Sequence, residues 1–139
     1  MPPIALNHDT SILAVENDNA EIVLWNPLTG KNLGRLVGHA GMVNSMAFSP
    51  TGNRLVSASD DGTVRFWDCK TQTNLETQPL TEPLFRVGLS ENGICVAGLR
   101  TDNQVVAWML PPQLIRPAGE PGILTSYFAP ETAIYAIEI

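Results

Sequence analysis

Three tryptophans divide this chain at nearly equal intervals: Trp25, Trp67 and Trp108 stand 42 and 41 residues apart. The segments ending at them align without gaps, as NHDTSILAVENDNAEIVLW, SPTGNRLVSASDDGTVRFW and SENGICVAGLRTDNQVVAW. A repeat of about 40 residues is one supersecondary unit that cannot bury its apolar face alone, so the fold must be a stack of neighbours sharing a core. Each segment sets alternating apolar residues on either side of a Gly, Asn or Asp cluster, which reads as strand, turn, strand.

In the middle copy, MVNSMAF is a strand ended by the turn SPTG, NRLVSAS is a second, DDG turns again, TVRFW is a third, and TQTNLETQ is a fourth and more polar one. The third copy predicts strands at LFRVGL, ICVAG and QVVAW, with a weak last strand near QLIRP. Pro111, Pro112 and Pro117 suit only an outer edge there, because proline has no N–H for a central ladder. ILTSYFAPETAIYAIEI repeats MVNSMAFSPTGNRLVSAS, with Phe128 and Pro130 at the places of Phe48 and Pro50, so it is expected to open a further unit and stop after two strands. The first copy is clipped, since Ile4 aligns with Met46. The expectation is an all-β chain of three four-stranded antiparallel units and a two-stranded half unit, with boundaries near 1–41, 42–82, 83–122 and 123–139.

Gly38-His39 and Trp67-Asp68 bracket the middle copy, with 28 residues from His39 to Trp67. With the fixed repeat, this resembles the WD-repeat (WD40) family, whose four-stranded sheets are the blades of a β-propeller. The resemblance implies a partial WD40 β-propeller over the whole chain. It also implies a structural hydrogen-bonded network of His39, Ser57, Asp61 and Trp67. The chemistry of these side chains suits that role: a buried indole N–H needs an acceptor, a hydroxyl both donates and accepts, and an imidazole held by a carboxylate pins its loop. In the first copy Trp25 persists, while Asn19 and Val15 stand at the Asp and Ser positions. In the third, Asp102 and Trp108 persist, with Gly98 and Leu80 at the Ser and His positions.

Closed propellers hold about 4–8 blades, so the repeat count predicts an incomplete ring, extended by further blades of a longer chain or by self-association. The expected strand phase, beginning within a first strand and ending after a second, leaves two copies short of a third strand where they would meet.

A formal charge of −6, from 8 Lys+Arg against 14 Asp+Glu, offers no basic footprint for nucleic acid or anionic lipid. No apolar run approaches the ~18 residues of a membrane helix, and MPPIALNHD lacks the basic start and apolar core of a signal peptide. The reading is a cytoplasmic, intracellular chain that binds neither nucleic acid nor membrane. Cys69 and Cys95 are expected to be free thiols, and with only His8 and His39 beside them no metal site or cofactor is expected.

Asp60 and Asp61 resemble paired catalytic carboxylates, and Ser57 with His39 and Asp61 imitates a nucleophilic triad by composition. Asp-Asp-Gly is turn chemistry, however, and a serine serving a buried indole is not available to attack a substrate. No catalytic residue is assigned. The six arginines are read as solvated surface. The expected function is a noncatalytic interaction scaffold for other proteins or peptides, the alternative being the recognition part of a larger multidomain signalling enzyme or sensor. Loops entering the first strands and turns between second and third strands share one face, and the candidate contacts there are Met42, Asn44, Asp60, Phe85 and Thr101.

Overall fold

The computed structural model describes residues 3–49, 53–80, 82–89, 95–100, 104–109 and 137–138. Among them the alternating segments form twelve strands in three antiparallel sheets of four. The first blade is β1 (Ile4–Leu6), β2 (Leu13–Glu16), β3 (Ile22–Trp25) and β4 (Asn32–Leu36). The second is β5 (Val43–Phe48), β6 (Arg54–Ser59), β7 (Thr63–Asp68) and β8 (Thr73–Pro79). The third is β9 (Leu84–Leu89), β10 (Cys95–Arg100), β11 (Gln104–Met109) and β12 (Ile137–Glu138).

The turns are built from short polar side chains that bond their own backbone. Asp68 Oδ1 accepts the N–H of Lys70 and Thr71, and Asn26 Oδ1 accepts those of Leu28 and Thr29 at the matching place in the first blade. Gly62 takes φ +83° in the DDG turn, and Ala20, its counterpart, is held at φ +62°. Both blades also shift register at the same step, Leu24/Trp25 and Phe66/Trp67.

One strand lies elsewhere than the repeat placed it. Ile137–Glu138, which the repeat placed in the half blade, pairs antiparallel with β11, Val105 opposite Ile137 and Gln104 opposite Glu138, as the fourth strand of the third sheet. The outer edge of β11 offers a row of N–H and C=O groups to any strand, and Ile137–Glu138 pairs with two of its residues. The segment QLIRP and residues 123–136 lie outside the described residues.

Packing follows from alternation. Ala14, Ile22, Leu24 and Leu36 leave the rear of the first blade and meet Val43, Met46, Leu55, Trp67 and Cys69 on the front of the second. Val56, Ala58, Val64 and Phe66 leave its rear and meet Leu84, Val96 and Val106 of the third. The second blade is therefore covered on both faces, which is why five of the six residues of β6 are buried.

Polar bonds fix how the blades meet. Glu16, only 7% exposed, reaches across to accept the Val43 N–H at 2.7 Å. Asn44, the extra residue where β5 shifts register, donates to Leu84 O at 3.2 Å, and Ser45 Oγ accepts the Val87 N–H at 3.1 Å. At the rim Gln72 donates to Leu33 O at 2.6 Å. Glu16→Ala removes a buried acceptor and should cost about 1–3 kcal/mol, and Glu16→Gln should recover most of it. Arg35→Ala, which breaks an exposed pair with Glu21, should hardly be detected. Urea titrations of the three variants check the ranking.

Candidate functional site

Blade contacts bring His39, Ser57, Asp61 and Trp67 together. Trp67 Nε1–H donates to Ser57 Oγ at 2.8 Å. Ser57 Oγ lies 2.7 Å from His39 Nε2, and His39 Nδ1 lies 2.8 Å from Asp61 Oδ2. One proton arrangement satisfies every atom: the neutral imidazole donates from Nδ1 to the carboxylate and accepts the serine proton at Nε2, leaving the serine oxygen to accept the indole. The chain thus runs in one direction, from indole to carboxylate.

Asp61 does more than hold the histidine. Its Oδ2 also accepts the Ala40 N–H at 3.0 Å, and its Oδ1 accepts the Thr63 N–H at 2.8 Å and the Thr63 hydroxyl at 2.6 Å. Partial burial alone would raise its pKa, but the Thr63 hydroxyl, the Ala40 N–H and His39 outweigh it and hold the carboxyl well below the usual range. Burial pushes the His39 pKa down, with Asp61 opposing and the charge of Arg65 assisting.

Gly38 and Gly41 are needed for close approach rather than for a phosphate. A Cβ at Gly41 would stand 2.9 Å from the Asp61 backbone nitrogen, and one at Gly38 would stand 2.7 Å from the Arg65 guanidinium and 3.1 Å from the Trp67 ring. Arg65 is accordingly half buried over this network, unlike the solvated arginine expected. Ser59 adds a second tie, donating to Gly41 O at 2.8 Å and accepting the Asp61 N–H at 3.0 Å. Thr63, Ser59 and Glu16 were missed in the sequence. The Asp-x-Thr spacing at 61 and 63 was the available signal for Thr63.

The neighbouring blades replace the network differently. In the third, Leu84 fills the space a side chain at Gly98 would need, and Leu80 packs on the core at the histidine position. In the first, Asn17 organises the turn, accepting the N–H groups of Asn19 and Glu21, while Asn19 contributes only a backbone donor to it. Trp25 is half buried opposite Leu13. Trp108 stands in β11 opposite Val96, and Asp102 and Thr101 lie outside the described residues.

Of the proposed contact residues, Met42, Asn44, Asp60 and Phe85 fall at one end of neighbouring strands. Met42, just before β5, is 64% exposed, and Phe85, in β9, is 52% exposed with the Arg86 guanidinium 5.5 Å above its ring. Asn44 is half buried, its amide donating to Asp60 Oδ1 at 2.8 Å as well as to Leu84. Asp60 is exposed. Ser57 is fully buried, so no substrate reaches its hydroxyl. Burial and the Asp68 charge push the Cys69 thiol up to about 12, which keeps it protonated and unreactive. Among the described residues no cluster of three or more His, Cys, Asp or Glu could hold a metal ion, and no helix is long and apolar enough to cross a membrane.

The family model for the WD domain, G-beta repeat, matches residues 30–68. The chain is 35% identical over 100 residues to a periodic tryptophan protein 2 homolog of Schizosaccharomyces pombe, covering 70% of this chain and 12% of that protein. It is 32% identical over 99 residues to lissencephaly-1 homolog 1 of Paramecium tetraurelia, covering 71% and 24%. With eukaryotic translation initiation factor 3 subunit I of Neurospora crassa it shares 32% identity over 96 residues, covering 69% and 28%. The chain thus spans between 12% and 28% of these relatives' lengths.

Two outcomes check the network. Asp61→Ala strands the imidazole, two N–H groups and a hydroxyl, and should cost about 1–3 kcal/mol, with Asn19→Ala costing less. Denaturant titrations compare the two. The second outcome concerns pH. His39 has a folded pKa below its ordinary 6.5, so its contribution is fully present above 6.5 and is lost as pH falls through the folded value. Asp61, also depressed, adds a further loss below its ordinary 3.8. Thermal melts should therefore drop between about pH 7.5 and about pH 5.5 more steeply in the wild type than in His39→Gln.

Proposed function

Because the chain belongs to the WD-repeat family, we propose that it is a noncatalytic scaffold that holds other proteins or peptides on the loop face around Met42 and Phe85. The observation that carries this reading is the pairing of two large apolar side chains, both more than half exposed, at one end of adjacent strands whose backbones are tied together. Aromatic and Met side chains are enriched in interface cores, and a rigid strand end holds them at little entropic cost. Asp60, oriented by Asn44, supplies a fixed acceptor beside them, and Asn44 and Thr101 complete the proposed face. The exposed carboxylate and Arg86 favour a peptide with an apolar anchor flanked by polar groups.

A second reading is supported by the relatives' lengths: the blades serve as the recognition part of a longer multidomain protein. An intracellular setting is supported by the relative named for translation initiation. Replacing Met42 and Phe85 by Ser should lower stability by less than about 0.5 kcal/mol while reducing capture of a defined partner at least tenfold. Calorimetric melts and affinity capture of that partner, identified first with the wild-type chain, measure the two separately. Unchanged capture would remove this face from consideration.

A further inference from the structure

We propose that Glu16, in the first blade, positions the Met42 anchor, so that the contact face is complete only while the first blade is seated on the second; this rests on the reading of that face as a binding surface. The observation is a single peptide group held from both sides. A trans peptide points its C=O and its N–H in opposite directions. In the group that joins Met42 to Val43, the C=O accepts the Asp60 N–H at 2.8 Å within the second blade, and the N–H donates to Glu16 Oε1 at 2.7 Å across the blade boundary. The preceding peptide is tied as well, its Gly41 C=O accepting the Ser59 hydroxyl at 2.8 Å. Met42 therefore has its backbone fixed on either side of its Cα, while its side chain stands 64% exposed.

Seating one blade on the next does not by itself call for a carboxylate. In the repeat, Glu16 aligns with Ala58, which packs into the apolar core at the next boundary. Val43 aligns with Leu84, and the second blade grips Leu84 through its C=O, by the Asn44 amide at 3.2 Å. At the first boundary an uncharged tie, Gln72 to Leu33 O at 2.6 Å, already joins the rims. Glu16 is only 7% exposed, and a carboxylate held that far from water is costly unless its hydrogen bonds repay the desolvation. What Glu16 adds that Gln72 does not is an acceptor one residue from the anchor.

Among the described residues, the other hydrogen bonds to 39–43 come from Ser57, Ser59, Asp60, Asp61 and Thr63, all in the second blade. Glu16 is thus the polar contact through which the first blade acts on this loop. Because a group of one blade fixes an anchor of the other, ligand binding at Met42 and seating of the first blade are linked, and such linkage is reciprocal. A ligand that engages Met42 in its fixed orientation favours the seated first blade, and displacing that blade weakens the face. An anchor ordered in advance also spares the ligand the cost of ordering it.

The test uses the whole 139-residue chain. Amide NMR relaxation reads the order of the Met42 and Val43 backbone, and the probe of the face is a peptide selected on the wild type from a displayed random library and kept only if Met42→Ser releases it. Glu16→Ala should lower the two order parameters from about 0.85 to below about 0.6 and weaken the peptide at least tenfold. Glu16→Gln, which keeps an acceptor, should restore both. Gln72→Ala, which removes the rim tie of the same boundary, should change neither, whereas a merely structural Glu16 would make the two alanine variants alike. Peptide binding should also slow hydrogen exchange at Ile22 and Leu24 of the first blade in the wild type but not in Glu16→Ala. If Glu16→Ala fails to fold, Glu16→Asp, whose carboxylate is drawn back by one methylene, replaces it with the same expectations. Unchanged order in the Glu16 variant, equal loss in Gln72→Ala, or peptide binding indifferent to Glu16 overturns the proposal. If no selected peptide responds to Met42→Ser, the reading of the face fails instead, and the relaxation data alone decide whether Glu16 positions Met42.

Discussion

A β-sheet whose two faces are both apolar has to be covered twice, and the rest of this structure depends on how the second blade meets that requirement. Its strands alternate not between core and water but between one core and another: Leu55 and Trp67 pack forward, Val56, Val64 and Phe66 pack backward. Burying such side chains is favourable by roughly 1.5–3 kcal/mol each, which no isolated blade can collect. The neighbours are therefore structural necessities for one another, and the bonds from Glu16, Asn44 and Ser45 set the angle at which they meet.

Removing both faces from water creates a second demand. Ser57, placed on the front face by the alternation, brings a hydroxyl to a site with no solvent, and the Trp67 indole brings an N–H beside it. Two buried polar groups in an apolar layer would be costly unpaired. His39 and Asp61 carry that pairing outward to the loop, and so convert a liability of the core into a tie between loop and sheet. At the serine position the third blade brings no hydroxyl: Gly98 leaves room and Leu84 fills it. Both solutions satisfy the packing, and in the second blade the polar one also ties the loop to the sheet.

The repeat, its period and most strand limits could be read from the chain because alternation and turn residues are local signals. The His39, Ser57, Asp61 and Trp67 constellation was legible for the same reason: four polar or aromatic types stand at fixed spacings within one unit. What could not be read lies between units. Glu16 looks like any surface glutamate until the Val43 amide is placed against it, and Asn44 gives no sign that its amide will bridge to Leu84. Gly98 reads as a lost serine, because a sequence does not show what occupies an empty volume. The last strand was misassigned because alternating apolar residues carry no label for the edge they will join, and repeat alignment assigned Ile137–Glu138 to the next unit.

The sharing of each core between consecutive blades also bears on how the chain emerges from a ribosome. The rear of the first blade is complete once Leu36 has been made, but its cover extends to Trp67 and Cys69. At typical synthesis speeds of about 5–20 residues per second, the intervening stretch takes roughly 2–6 s. Throughout that interval Ala14, Ile22, Leu24 and Leu36 form an apolar surface with nothing yet synthesised to lie on it, and the second blade repeats the exposure while the third is being made. Each blade thus passes through a defined window in which a holding chaperone finds a ready-made binding surface, and the window shuts when the next repeat folds onto it.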